Sequence, residues 1–134
     1  MEDYHRLTII RHELPASGDV NDVLQWFATS LGLFSLRDKD RSTYRIFIEL
    51  LKAARQRKEL SSDQLAEKLG LSRATVIHHL NKLHESGIIR SSRNRYRLRV
   101  RNLTFLVDEI EKDIKRTLED LKEVAGDLDQ RMGL

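Results

Sequence analysis

A chain of 134 residues has room for one small domain with extensions and is too short for two ordinary domains. The lack of cysteine excludes a disulfide framework and a thiolate metal site. Because the sequence has no long apolar run and no secretion signal, we expect a cytoplasmic protein with no membrane partner. The net charge of +3 is unevenly divided along the chain. Residues 1–40 carry 4 Lys/Arg and 7 Asp/Glu (−3), residues 41–101 carry 15 and 5 (+10), and residues 102–134 carry 5 and 9 (−4). The basic middle segment favours a nucleic-acid partner.

Residues 1–40 are predicted to form an N-terminal extension. Residues 5–14 contain a short apolar patch that fits either a strand or an arm. A helix is predicted over residues 20–31, because Asp19 is a suitable N-cap and four apolar residues follow at helical spacing, namely Val23, Leu24, Phe27 and Leu31. Trp26 lies beside this face, where we expect it to supply core or subunit contact rather than to stack on a ligand.

Residues 41–101 are predicted to form the central domain. The charged residues 35–42 lack apolar periodicity and are interpreted as the connection that precedes it. A helix is expected from Thr43 to about Lys58, with Tyr44, Phe47, Ile48, Leu51 and Ala54 on its apolar face and basic residues on the other. Leu60 is expected to form a very short strand that pairs with a later hairpin.

Two short helices joined by a tight turn are predicted within residues 61–89. Ser61 and Gln64 have the spacing of a capping box, and Gly70 stands where a helix commonly ends in a left-handed residue. Ser72 is the expected N-cap of the second helix, whose residues Val76, Leu80 and Leu83 form one buried stripe. The opposite face is small, polar and basic, which suits a nucleic-acid groove, and it carries Ala74, Thr75, His78, Asn81 and Lys82.

A strongly basic hairpin is predicted after Gly87. Residues 88–90 begin a strand, residues 91–94 are expected to turn, and in residues 95–100 apolar side chains alternate with arginines. Because the planar guanidinium group donates two hydrogen bonds to phosphate, this arginine row favours contact with DNA at the hairpin tip. The alternative is an edge strand that its charge protects against aggregation.

Residues 102–132 have the longest periodic pattern in the chain. Val107, Ile114, Leu121 and Leu128 recur every seven residues, and a second seven-residue series is formed by Leu103, Ile110, Thr117 and Val124. A helix with this stripe is too long for so small a domain to cover, so we expect it to form a dimer interface with the same helix of a second copy. Packing of the helix back onto its own chain, against residues 20–31, is the alternative.

The helix pair resembles the helix-turn-helix of winged-helix transcription regulators, most nearly the ArsR-type and MarR-type groups. The resemblance spans roughly residues 43–100 and is carried by Leu65-Ala66, Gly70-Leu71-Ser72, Thr75-Val76, His79-Leu80, Leu83 and Gly87-Ile88. It implies a mainly α fold with a small β-hairpin wing, here with an N-terminal helical extension and a long C-terminal dimerisation helix.

The resulting hypothesis is a homodimeric, sequence-specific transcription regulator that binds double-stranded DNA. The helix over residues 73–85 would enter the major groove, and the wing over residues 88–100 would lie on the backbone or in the minor groove. The alternative is a protein-interaction module, or one that binds nucleic acid without sequence preference, whose long helix engages a different partner. The predicted DNA contacts are Ser72, Arg73, Ala74, Thr75, His78, Asn81, Lys82, Arg90, Ser92, Arg93, Asn94 and Arg95.

Neither an enzyme nor a cofactor or metal site is predicted. The sequence has no phosphate loop, nucleophile elbow or H-E-x-x-H motif. His78 and His79 are adjacent and point about 100° apart on a helix, so they do not face one ion. ArsR-type metal sensors use cysteines or a terminal helix with Asp and His, whereas the last histidine here is His84. An effector remains open, because residues 1–40 and the terminal helix have room for a small pocket.

Overall fold

A computed structural model describes residues 5–16, 18–34 and 41–134 of the chain. These residues contain five helices and one two-stranded antiparallel sheet. The backbone divides into two compact units, Met1–Arg99 and Val100–Leu134. The predicted fold class, mainly α with a small hairpin wing and a long C-terminal helix, is confirmed.

The first helix, α1, spans Val20–Ser30 and begins where the sequence predicts, because the Asp19 carboxylate accepts a hydrogen bond from the backbone N–H of Asp22. Residues 5–16 contain neither helix nor strand and form an arm. Trp26 holds this arm: its indole N–H donates to the Glu13 carbonyl at 2.7 Å, and its ring stacks on His12 with centroids 4.7 Å apart. Trp26 is half-buried, so it anchors the arm rather than filling the centre of the core.

The second helix, α2, spans Ser42–Arg55 and packs against α3, α4 and β2, defined below. It ends earlier than predicted, since Gln56 and Arg57 form a turn in which Arg57 has a φ of 56°. The deeply buried residues are Ile46, Phe47, Leu50 and Ala53. Of the predicted apolar face only Phe47 belongs to this set; the other four residues are half-buried, because elements on several sides cover a wider arc than the sequence stripe indicates. Residues 35–40 of the predicted connection lie outside the described residues.

Helices α3, Ser62–Leu69, and α4, Arg73–Glu85, form the predicted helix-turn-helix. Both hydrogen bonds of the capping box between Ser61 and Gln64 are present, and Gly70 adopts the left-handed conformation with a φ of 66°. Ser72 caps α4 by accepting from the backbone N–H of Thr75. The apolar stripe of α4 is buried as predicted, at Val76, Leu80 and Leu83.

Strands β1, Ile89–Ser92, and β2, Arg95–Leu98, form the wing. Their register pairs Ile89 with Leu98 and Ser92 with Arg95, so the turn has two residues rather than the four predicted. The short third strand is confirmed, because Leu60 and Tyr96 form an isolated bridge with hydrogen bonds of 3.0 and 2.8 Å. Ile89 and Leu98 are buried, so one side of the wing belongs to the core.

The last helix, α5, spans Leu103–Met132 and is capped at its start by the Asn102 side chain. Leu106 and Ile110 are buried, although the heptad pattern omits the first and assigns the second to a dimer interface. The apolar residues of its last turns are exposed, and Leu121 for example is 59% exposed. Among the described residues, no helix combines the length and the apolar character needed to cross a membrane.

Candidate nucleic-acid interface

The side of α4 opposite its buried stripe is open to solvent. Ala74, His78, Asn81 and Lys82 are exposed there, and Thr75 is half-buried. These five residues are the predicted groove-facing set, and the helical periodicity that buries Val76 and Leu80 turns them outward together. The face combines hydrogen-bond donors and acceptors with one positive charge, as base edges and phosphates require.

Two polar contacts fix the helix-turn-helix on α2. The buried His79 lies with its ring Nδ1 2.7 Å from Thr43 Oγ1, which ties α4 to the first turn of α2. Arg45 donates from its guanidinium group to the Leu69 carbonyl at 2.7 Å and so holds the end of α3. His79 thus packs beside the buried stripe of α4 with a ring nitrogen in this contact. Both contacts stiffen the element that presents the open face of α4.

The start of α4 is held by side chains that were predicted to contact DNA. Besides capping the helix, the Ser72 hydroxyl donates to Thr75 Oγ1 at 2.8 Å. Arg73 Nε lies 3.2 Å from the Asp63 carboxylate, and both side chains are exposed. Thr75 therefore has one acceptor site already occupied, whereas Arg73 sits in an exposed ion pair that is easily exchanged for a phosphate.

The wing turn consists of Arg93 and Asn94, with φ values of 52° and 58°. Positive φ at both central residues defines a type I′ turn, which matches the twist of the flanking strands and favours Asn and Gly. Arginine is not among the residues that favour this conformation. Asn94 Oδ1 accepts a hydrogen bond from the buried Ser62 hydroxyl at 3.0 Å, so the turn is tied to the start of α3.

The first turn of α3 brings the two parts of the interface together. Ser62 binds the wing turn and its neighbour Asp63 binds the first residue of α4. The wing tip and the start of α4 are therefore neighbours, although 20 residues separate Arg73 from Arg93. Sequence reasoning missed Ser62 and Asp63, because nothing in their spacing indicates a contact outside their own helix.

The solvent side of the wing carries a row of arginines. Arg90 pairs directly across from Arg97, and Glu59 Oε2 lies 3.6 Å from Arg97 Nε. Like charges directly opposite one another destabilise a strand pair, and Glu59 offsets this at one position. Arg95 is exposed beside the tip, whereas Arg90 is half-buried and lies three residues before Arg93, about 10 Å along the strand.

The structure thus places all twelve predicted contact residues on the open side of α4, at its start, or on the wing. Ten are exposed, and Thr75 and Arg90 are half-buried. In the described residues no group of three or more His, Asp or Glu side chains is arranged to hold a metal ion.

Residues 48–91 match the family model described as bacterial regulatory protein, arsR family. The matched segment runs from the middle of α2 to the first wing strand, and it includes the whole helix-turn-helix. The domain is an ArsR-type winged helix-turn-helix. None of the curated proteins compared with the chain matches it.

An ArsR-type winged helix is the DNA-binding domain of transcription regulators, so the match supports DNA binding and transcription regulation as the function of this domain. Such regulators bind DNA rather than catalyse a reaction. The match to the family model ends at Ser91, in the first wing strand and just before the wing turn. Residues 93–101 carry five of the arginines, and they extend the basic surface beyond the matched segment.

Proposed function

We propose that the protein is a homodimeric, sequence-specific DNA-binding regulator that inserts α4 into the major groove and sets its wing on the backbone or in the minor groove. The observation that carries this proposal is the open face of α4. Four of its five residues are polar and all but the half-buried Thr75 are exposed, whereas the opposite face is buried and fixed to α2 through His79. A rigid helix with one free polar face is the element that reads base edges in a helix-turn-helix.

His78 and Asn81 are the strongest candidates for base contacts. Both are exposed and lie at i and i+3 on the open face. An asparagine amide can bind adenine with two hydrogen bonds, and the neutral histidine ring offers one donor and one acceptor. Thr75 belongs to the same set, but because its oxygen accepts from Ser72 it has less capacity left for a base.

Phosphate contacts are assigned to the cations around this face: Arg73, Lys82, Arg90, Arg93 and Arg95. Salt-dependent phosphate contact supplies a large share of protein–DNA affinity without reading sequence. The +10 charge of residues 41–101 supports this assignment, since both flanking segments are acidic. Arg93 at the narrow wing tip is the candidate for the minor groove.

Dimerisation is assigned to α5. Its exposed apolar residues continue far beyond the buried Leu106 and Ile110, and a second copy would cover them. A two-fold dimer binds a pseudo-palindromic operator whose half-sites follow one face of the duplex.

The decisive experiment selects bound fragments from a genomic DNA library at several salt concentrations. We expect a recurrent pseudo-palindrome and a logarithmic affinity that falls linearly with the logarithm of salt concentration. Asn81→Ala should lower discrimination at one base pair by about 1–3 kcal/mol, whereas Lys82→Ala should weaken all sequences alike. If no fragment is preferred over random DNA, the proposal of sequence-specific binding is wrong, and binding without sequence preference takes its place.

Light scattering of the purified chain tests the homodimer separately. We expect twice the mass of the 15.7 kDa chain. A monomer would contradict the homodimer and would favour a different protein as the partner of α5.

A further inference from the structure

The arm of residues 5–16 connects the end of α4 to the end of α1. The Arg6 backbone N–H donates to the carbonyl of Glu85, the last residue of α4, at 2.8 Å. The Ile10 N–H donates to the carbonyl of Ser30, the last residue of α1, also at 2.8 Å. Because the last carbonyls of a helix lack partners within that helix, the arm satisfies one such carbonyl at each helix.

Each of these helix ends is followed by a glycine that the arm approaches closely. Gly32 and Gly87 come two residues after α1 and α4, and their φ values are 70° and 76°. A Cβ atom on Gly32 would lie 2.9 Å from the Thr8 side chain, and one on Gly87 would lie 3.4 Å from His5 Nδ1. The arm therefore lies against the backbone at both places, and at Gly32 any side chain would displace it.

The later part of the arm is anchored on α1. The indole N–H of Trp26 donates to the Glu13 carbonyl, and the His12 ring stacks on the indole. His12 Nε2 lies 2.7 Å from Ser30 Oγ, and the Ser30 hydroxyl donates its hydrogen to the Trp26 carbonyl at 2.9 Å. Since a serine hydroxyl has only one hydrogen, His12 Nε2 is the donor to Ser30. Three contacts thus hold residues 12 and 13 on α1.

The segment of the arm that joins the two helix ends is short. Arg6 and Ile10 are four residues apart, and four residues span at most about 14 Å when fully extended. The ends of α1 and α4 are therefore close together, although Ser30 and Glu85 are 55 positions apart in the sequence. So short a segment has little slack, so release of the arm from α1 would also loosen its hold on α4.

The last turn of α4 carries part of the proposed base-reading face. Asn81 lies one helical turn before Glu85, and Lys82 lies between them. Helix ends fray unless other groups bind their free carbonyls. A side chain that reads a base has to be held within about 0.5 Å of its productive position, so fraying at Glu85 would reduce the discrimination made by Asn81.

We propose that the arm positions the end of α4 for DNA binding, with Trp26 as its anchor. The proposal rests on the proposed insertion of α4 into the major groove, and it adds a role for residues 5–16. These residues lie outside the segment 48–91 that matches the family model. The arm reaches α4 at Glu85, at the opposite end from the Ser72 cap, and it acts through the helix rather than on a base.

Two variants release the arm at different points. Arg6→Pro removes the backbone N–H that donates to the Glu85 carbonyl, and Arg6→Ala is its matched control because it removes the same side chain and keeps the N–H. His12→Ala removes the stack on Trp26 and the contact with Ser30, and its control is the unmodified protein. Arg6 and His12 are exposed, so the core should stay folded in all three variants.

Hydrogen exchange of the free protein measures the effect on α4 without DNA. The N–H groups of residues 86–88 close the last turn of α4 by donating to the carbonyls of residues 82–84. We expect these three amides to exchange about threefold faster or more in Arg6→Pro and His12→Ala than in their controls. Amides in the middle of α2 should exchange at the native rate in every variant, which shows that the fold is intact.

Binding to a selected operator measures the consequence for recognition. We expect Arg6→Pro and His12→Ala to bind the operator about fivefold or more weakly than their controls, with the salt slope unchanged because no phosphate contact is lost. The loss should be concentrated at the base pair that Asn81 reads, and affinity for random DNA should stay the same. A general loss of structure would instead weaken the binding of operator and random DNA alike.

The outcomes separate the role of the arm from the proposed function. Native exchange at residues 86–88 in Arg6→Pro or in His12→Ala overturns the proposal that the arm holds the end of α4. Faster exchange with native operator affinity, or with equal weakening of operator and random DNA, overturns its role in recognition. If the unmodified protein prefers no sequence, the proposed function fails first, and this is seen before any variant is compared.

Discussion

Arg93 has a left-handed backbone conformation that an arginine side chain does not favour. A left-handed conformation costs an arginine about 1–2 kcal/mol relative to its preferred regions, and glycine avoids this penalty. Arg93→Gly should therefore leave the free energy of unfolding unchanged or slightly higher, since relief at the turn is offset by the larger entropy of glycine in the unfolded chain. The same change should weaken DNA binding and lower the salt slope by about one unit, through the lost phosphate contact.

Arg57 provides the control for this prediction. It also has a positive φ, 56°, and Arg57→Gly removes the same charge, here from the turn that ends α2. Because Leu60 pairs antiparallel with Tyr96, the chain before Leu60 runs away from the wing tip, and Arg57 lies far from it in the register. Chemical denaturation and fluorescence anisotropy at several salt concentrations measure both variants. Equal losses of affinity would mean that net charge, and not a contact at the tip, is responsible.

The hydrogen bond between Thr43 and His79 should contribute to the stability of the protein, and a change at Thr43 tests this. Thr43→Val keeps the shape of the side chain but removes the hydroxyl that lies 2.7 Å from the buried ring of His79. A buried polar group that loses its partner typically destabilises a protein by about 1–3 kcal/mol. Urea denaturation should show this loss, together with weaker DNA binding from a less firmly held α4.

Thr29→Val is the comparison for Thr43→Val. The Thr29 hydroxyl donates to the Gln25 carbonyl four residues earlier in α1. Because that carbonyl also lies where it can accept the backbone hydrogen bond of the helix, Thr29→Val should destabilise the protein much less. If both variants are equally stable, the contact between Thr43 and His79 does not hold α4 in place.

Among the elements, the helix-turn-helix carries an acidic group at its open edge. Asp63 pairs with Arg73 and also opposes the approach of phosphate. An exposed pair contributes about 1 kcal/mol or less to stability, so Asp63→Asn should leave the free energy of unfolding almost unchanged. It should raise DNA affinity several-fold at low salt, since Arg73 and the local potential become available to the backbone, and the gain should shrink as salt screens the charges.

Glu67 lies one turn further along α3, is exposed, and tests whether the gain is local. Glu67→Gln removes an equal charge from a side chain for which the described residues show no ion pair. Anisotropy titrations with one operator fragment would compare the two variants. If Glu67→Gln raises DNA affinity as much as Asp63→Asn, the gain is due to net charge alone.

The elements also differ in how well the sequence predicts them. The starts of α1, α3 and α4 could be predicted because Asp19, Ser61 and Ser72 cap their own helices, and these contacts span only three residues. The wing turn was predicted too long, since an arginine in a left-handed turn contradicts its local preference and depends on the contact of Asn94 with Ser62.

The candidate site divides in the same way. Which residues of α4 face outward follows from helical periodicity, and the exposed Asn81 and His78 were found by that rule. The link between the wing and α4 through Ser62 and Asp63 depends on tertiary packing. No local pattern encodes it, so the sequence could predict which side chains face outward but not which of them lie next to one another.

For the whole molecule, charge and apolar surface are separated along the chain. The basic central segment lies between an acidic extension and an acidic helix, so the two ends repel DNA while the centre attracts it. The exposed apolar surface of α5 is also remote in sequence from the recognition helix. Affinity for an operator should therefore depend on two separable properties, the contacts of one domain and the pairing of two chains.

Leu121→Asp tests that separation. Leu121 is 59% exposed in the single chain, so the change should leave the folded domain intact while it places a charge in the centre of the proposed dimer seam. We expect a monomer by light scattering that still unfolds cooperatively in urea. Loss of the second binding domain should lower the affinity for a full operator by about 10²–10⁴-fold, whereas the affinity for a single half-site should remain.

Gln130→Asp is the control, since it adds the same charge to the opposite side of α5 and should leave both the mass and the operator affinity unchanged. Comparing full operator with half-site then isolates the contribution of pairing, because both variants carry identical α4 and wing residues. A Leu121→Asp protein that stays dimeric would mean that α5 is not the seam. A monomer that still binds the full operator with native affinity would mean that the two domains do not bind it together.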